Sequence, residues 1–100
     1  MTLEHYLASL SSGRCPPGMS APLQALWQEA RGEWKRAHEI VQGEDTAEAA
    51  WVHAYLHRKE GDSANAGYWY RRAKRPVSTE ALENEWRCIV TDLIDSGSAD

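Results

Sequence analysis

The sequence has no phenylalanine, only two cysteines and no long apolar run. Cys15 and Cys88 fit no metal or redox spacing, so we expect free thiols in a reducing compartment, with a disulfide as the alternative. No apolar run approaches the ~20 residues of a membrane span, and the N-terminus shows no signal-peptide pattern. We therefore expect a cytoplasmic protein that does not enter a membrane.

Positive charge is also scarce, since the formal net charge is −4. The one basic cluster, 71–75, falls at the end of a predicted helix, where cations complement the helix dipole, so it does not indicate nucleic-acid binding. Glycine-rich phosphate loops and Gly-x-Ser-x-Gly turns are missing, and neither cysteine has a histidine nearby in the sequence. These absences favour a binding protein over an enzyme.

What the chain does contain is five tryptophans and four tyrosines in 100 residues. Their rings bury large areas, so one core is feasible without phenylalanine. The length suits one domain, which we predict to span 1–95. Residues 96–100 have little apolar surface and are predicted to form a flexible tail.

Apolar residues recur with helical spacing along almost the whole chain, and no segment alternates as a strand would. The fold class is therefore all-α, with five to six short helices. Their predicted starts lie near Thr2, Ser20, Glu33, Thr46, Asp62 and Ser78, and the last helix is predicted to end near Asp95. The number is five if Gly32 lies inside one long kinked helix. The segment that begins at Thr46 is apolar nearly all round, which is typical of a central helix.

Two turns share one pattern with a register of 29 residues, from position 32 to position 61. Gly32-Glu33-Trp34 is followed by Ala37, and Gly61-Asp62-Ser63 is followed by Ala66. With the small and aromatic residues between 47 and 73, this pattern resembles the helix-turn-helix unit of tetratricopeptide-type repeats. The string LHRKEGDSANAGYWYRRA is also similar to one in small bacterial proteins without an assigned function.

The repeat resemblance implies stacked antiparallel helical hairpins whose first helices line a concave groove that holds a peptide. By this implication, five side chains face the groove: Trp51, Tyr55, Arg58, Leu26 and Glu29. Because repeat arrays need capping, the terminal helices or a second subunit would cover their ends, and a homodimer is thus one of the expectations.

Aromatic and arginine side chains mark the predicted partner-binding surface, since interfaces concentrate these residue types. The predicted set is Trp51, Tyr55, Arg58, Tyr68 and Arg72. In the alternative interpretation Trp51 and Trp69 belong to the core, and Arg58 and Arg72 form ion pairs. The function predicted first is a non-enzymatic adaptor that binds a protein or peptide.

Histidines carry the alternative function, which is binding of a divalent metal or small ligand. His53 and His57 are spaced i, i+4, so both imidazoles lie on one helix face. His38 lies on the face of the preceding helix that should pack against them, and Glu60 is one turn further along. The pair lacks the intervening glutamate of a hydrolytic zinc helix. The competing interpretation makes His38 and His53 partly buried, hydrogen-bonded rings and His57 a surface residue.

Overall fold

Six α-helices form the fold of residues 1–98, which are the residues that the computed structural model describes. They are α1 (Leu3–Ser12), α2 (Ala21–Ala30), α3 (Trp34–Gln42), α4 (Ala47–Lys59), α5 (Ser63–Ala73) and α6 (Leu82–Ser98). No strand occurs in this range, so the predicted all-α class is confirmed. None of these helices has both the length and the apolar character needed to cross a bilayer.

Three of the helices begin at side-chain caps. Thr2, Thr46 and Asp62 each accept a hydrogen bond from the backbone N–H three residues later, at 3.1, 3.1 and 3.2 Å. These bonds satisfy donors that the first helical turn leaves without an intrahelical partner. Local sequence therefore determines where α1, α4 and α5 start.

The turns at Gly32 and Gly61 have the same backbone geometry. Both glycines have positive φ, 85° and 90°, which costs little without a Cβ. In each turn the next residue donates its N–H five positions back: Glu33 to the carbonyl of Gln28 at 3.0 Å, and Asp62 to that of His57 at 2.9 Å. Gly32 thus separates α2 from α3, and two helical hairpins follow one another.

Helix α4 is the central element. It packs against α2, α3, α5 and α6, and every residue from Ala49 to His57 is buried. Four alanines within α4 keep the neighbouring helices close. The prediction of a central helix is confirmed, and its enclosure places two histidines inside the protein.

Helix α6 differs from the predicted last helix at both ends. The Ser78 hydroxyl accepts the N–H of Glu80 at 3.2 Å in a local turn, and helical bonding starts only at the carbonyl of Ala81. The helix then continues past Asp95 to Ser98, so 96–98 are helical. The remaining residues of the predicted tail, 99–100, lie outside the described part of the chain.

The face that the repeat resemblance assigns to a groove is covered. Helix α6 packs against α2 and α4, and the Trp86 indole N–H donates to the carbonyl of Leu26 at 3.4 Å. Trp51 and Tyr55 are 7% and 2% exposed, and the Arg75 guanidinium lies 3.7 Å from the centre of the Trp51 ring. Trp51 and Tyr55 are therefore largely buried, because the chain's own last helix packs over this face.

Candidate metal centre

Three of the four histidines meet where α3 packs against α4. Helix α3 supplies His38, and α4 supplies His53 and His57. The indole N–H of Trp34 donates to the carbonyl of Leu56 at 2.8 Å, which ties the start of α3 to the end of α4. This contact fixes the register of the two helices and brings His38 opposite the i, i+4 pair.

The spacing of the ring nitrogens suits one metal ion. One nitrogen from each ring lies within 4.8 Å of the other two. The Nε2 atoms of His38 and His53 are 3.0 Å apart, close to the roughly 3.3 Å that two nitrogen ligands span on a tetrahedral zinc ion. The three ring centroids form a nearly equilateral triangle with sides of 4.6, 4.9 and 5.2 Å.

Glu60 orients His57. Its Oε2 lies 3.2 Å from Nδ1 of His57, where that nitrogen can donate its proton to the carboxylate. The hydrogen bond fixes the tautomer and leaves the Nε2 lone pair for a ligand. Metal-binding histidines commonly carry such a carboxylate on their second nitrogen, and it increases the basicity of the ligating one.

Two tryptophans hold the other rings. Trp34 stacks on His38 with ring centroids 5.1 Å apart and planes 8° from parallel, and Trp69 stacks on His53 at 3.9 Å and 12°. Both contacts restrict rotation of the imidazoles. The ligands are thereby preorganised, which reduces the entropy lost on binding.

The environment of His38 and His53 lowers the pKa of both rings. Burial, followed by the proximity of His38 and His57, lowers the pKa of His53 to about 4. Burial and the charge of His57 also lower the pKa of His38, although the carboxylates of Glu60 and Glu39 oppose this effect. Neutral imidazole is the form that binds a metal, so both rings are available as ligands at pH 7.

His57 is 7% exposed, so the interpretation that made it a surface residue is wrong. It is buried because Trp34 reaches across from α3 and lies edge-on to it, with ring centroids 6.0 Å apart. His38 and His53 are hydrogen-bonded as expected, but to each other. The His53–Trp69 stack was not predicted, because it depends on how α5 crosses α4.

A second set of possible metal ligands, formed by His57, Glu60 and Asp62, is less suited to an ion. The two Asp62 carboxylate oxygens accept from the backbone and side-chain amides of Asn65, both at 3.2 Å, in the cap of α5. Cys15 and Cys88 are exposed free thiols, and no metal-ligating group among residues 1–98 includes either of them. The three histidines are thus the better ligand set.

The five predicted partner-binding residues do not form one surface. Arg58 donates to Glu85 of α6 at 2.9 Å and lies with the buried Trp51 and Tyr55 on the α6 side. Tyr68 and Arg72 are exposed on α5. The Arg72 guanidinium lies 5.9 Å from the Tyr68 ring centre and 5.4 Å from that of Trp69.

Two carboxylates are buried: Glu29, which the repeat resemblance assigned to a groove, and Glu85, which was not predicted as a site residue. Glu29 forms an ion pair with Lys59 beside a cavity of about 650 Å³, and Glu85 accepts from Arg58 and from the Tyr70 hydroxyl. Glu85 is four positions before Ile89 and so lies on the apolar stripe of α6. This position in the sequence could have indicated that its carboxylate is buried.

Comparison of the chain with protein-family models, with curated proteins and with solved structures gives no match. The residues of the candidate site therefore carry the functional argument.

Proposed function

We propose that this protein binds one divalent transition-metal ion through His38, His53 and His57. The observation that carries the proposal is the convergence of three ring nitrogens within 4.8 Å of one another at a mostly buried position. Three charged imidazoles at this distance would repel one another and destabilise the fold. The lowered pKa values of His38 and His53 avoid this repulsion, because they keep both rings neutral. The site is thus ready to donate lone pairs.

The donor set supports a particular class of ion. Three imidazoles suit zinc, copper, nickel and cobalt, whereas magnesium and calcium prefer oxygen ligands. Among these ions, Zn²⁺ commonly binds three histidines together with one further ligand in tetrahedral geometry.

The test is a Zn²⁺ titration of protein without a polyhistidine tag, followed by calorimetry and thermal unfolding. We expect one ion per chain and a Tm increase of roughly 10–20 °C at a free concentration of 100 Kd. His38→Gln should abolish both effects. Its half-buried position and the amide's hydrogen-bonding capacity should preserve the fold, which circular dichroism checks.

The matched control is His5→Gln, since His5 is the one histidine outside the cluster and is exposed on α1. This variant should bind zinc as the wild type does. Equal loss of binding in both variants, or no binding by the wild type, would contradict the proposal.

A second candidate function is supported by the outer face of α5. Tyr68 is 44% exposed, and Arg72 is exposed beside it. Tyrosine and arginine are typical of interface hot spots. With the shared geometry of the Gly32 and Gly61 turns, this supports a tetratricopeptide-like adaptor that binds a protein or peptide through α5.

This second proposal is tested by affinity capture from cell extract with Tyr68→Ala/Arg72→Ala and with a control, Lys35→Ala/Arg36→Ala, which changes two exposed residues of α3. A partner bound through α5 should be lost only with the first variant. Identical captured proteins for the wild type and both variants would contradict it.

A further inference from the structure

We infer that an ion held by His38, His53 and His57 keeps one exchangeable coordination position, which a small monodentate anion occupies. This inference rests on the proposed metal binding and concerns the class of ligand that reaches the ion. It follows from the ligand count, the position of Glu60 and the walls of the site.

The described residues supply three ligands and no fourth. The group that contains His38 and His53 has His57 as its only other member. Neither exposed cysteine belongs to it, and the oxygens of Asp62 are used in the cap of α5. Zinc and cobalt ions favour four ligands in such sites, so we infer that the fourth comes from outside residues 1–98.

Glu60 is a candidate for a fourth protein ligand, but its Oε2 lies 3.2 Å from Nδ1 of His57, where it can accept the proton of that nitrogen. With Nδ1 used in this way, His57 has only Nε2, on the other side of the ring, to offer to the ion. To reach the ion, the carboxylate would have to leave Nδ1 and pass around the imidazole. Glu60 therefore acts as a positioning residue that holds His57.

The walls of the site limit what can enter. His53 and His57 are buried, and Trp69 covers His53, so solvent reaches the cluster beside the half-buried His38. The Trp34 indole N–H already donates to the Leu56 carbonyl and cannot bind an incoming group. An entering ligand would be held by the ion itself, which favours a small molecule with one donor atom.

Charge selects the kind of donor. Three neutral imidazoles leave the charge of a divalent ion uncompensated by its protein ligands. Among residues 1–98, the carboxylate that hydrogen-bonds to the triad is that of Glu60. An anion that joins the ion reduces this charge at a position with little water. We therefore expect small anions such as hydroxide or azide to bind more tightly than neutral donors of equal size.

Substitution with Co²⁺ tests the inference, because the visible bands of cobalt report its coordination. We expect one Co²⁺ per chain and a saturable change of the bands with one equivalent of bound azide. If Co²⁺ binds but its bands stay unchanged at high azide, the inference is overturned while the proposed function stands. If no Co²⁺ binds, both fail.

Glu60→Gln separates the positioning role from ligation. The glutamine amide oxygen can still accept from Nδ1 of His57, so we expect a roughly tenfold loss of Co²⁺ affinity with the azide response retained. His5→Gln should leave affinity and response unchanged. A response to azide that appears only after Glu60→Gln would show that Glu60 fills the fourth position, and would overturn the inference.

Discussion

His53 shows how the environment of one residue determines its chemistry. Its ring is 4% exposed, stacks on Trp69 and lies edge-on to His38 with ring centroids 4.6 Å apart. A proton on this ring would lose water and gain no carboxylate contact among the hydrogen bonds of the site. Its pKa is accordingly lowered to about 4.

Lowered histidine pKa values make the metal-free protein less stable in acid. An unfolded histidine binds its proton near pH 6.5, whereas His53 in the folded protein binds it only near pH 4. Between these values the unfolded state holds more protons, so the free energy of unfolding falls as the pH falls. The contribution of His53 should approach about 1.4 kcal/mol per pH unit within this window, and His38 adds in the same direction.

Urea unfolding in a chelator at pH 4.5, 5.5, 6.5 and 7.5 measures this dependence. The difference between wild type and His53→Gln isolates the histidine from the carboxylates that also titrate there. We expect the wild type to have the steeper dependence and His5→Gln to match it. Parallel curves for wild type and His53→Gln would contradict the assignment.

At the residue scale, the sequence predicted that His38, His53 and His57 lie close together, but it did not predict which rings pack against them. Helical spacing alone puts His53 and His57 on one face, and hairpin packing adds His38. Spacing cannot tell which rings of other helices lie over them, because this depends on the crossing angle of α5. The stacking of Trp69 on His53 therefore emerged only in three dimensions.

At the scale of elements, apolar periodicity and capping residues predicted that the helices exist. They did not predict the residue at which α6 starts. Ser78 resembles a cap in sequence, but its hydroxyl closes a local turn with Glu80. Periodicity also shows that α6 has an apolar stripe without showing which face it covers. For this reason the burial of Trp51 was predicted only in the alternative interpretation that placed it in the core.

Two arginine–carboxylate ion pairs can be compared: one joins α4 to a buried glutamate of α6, and the other is exposed to solvent. Arg58 contacts Glu85, whose side chain is 4% exposed, while Arg72 contacts Asp45, whose side chain is 96% exposed. Arg58→Met leaves a buried carboxylate without its cation and should cost about 2–4 kcal/mol of unfolding free energy. Arg72→Met should change stability little, because solvent screens an exposed pair.

Chemical denaturation of the two variants measures the difference. The denaturant dependence of the unfolding free energy should equal that of the wild type if each variant exposes the same surface area on unfolding as the wild type does. Equal stability of Arg58→Met and Arg72→Met would contradict the role of Glu85 as an anchor of α6.

The turn between α4 and α5 allows a second comparison, between two glycines with different backbone conformations. Gly61 has φ 90°, where a Cβ is strained, whereas Gly43 has a negative φ and open space at its Cβ position. Gly61→Ala should destabilise by about 1–2 kcal/mol, and Gly43→Ala by less. Thermal unfolding checks the order, and a reversed order would contradict the turn geometry.

At the scale of the whole molecule, the fold encloses Trp51 and Tyr55, two of the aromatic residues that were predicted to bind a partner. The large apolar side chains that the described residues expose are Met1, Tyr68 and Val77, which are dispersed along the chain. Stable dimers need a larger continuous apolar area. We therefore expect a monomer of 11.3 kDa in sedimentation equilibrium, and a mass of about twice that value would contradict this expectation.

The proposed function depends on one metal ion bound by His38, His53 and His57. The most direct measurement is a crystal structure of the zinc-treated, untagged protein with anomalous diffraction recorded at the zinc absorption edge. We predict one anomalous peak per chain, about 2.0–2.1 Å from a ring nitrogen of each of His38, His53 and His57. A peak at His5 or at either cysteine without one at the triad, or no peak at all, would contradict the account.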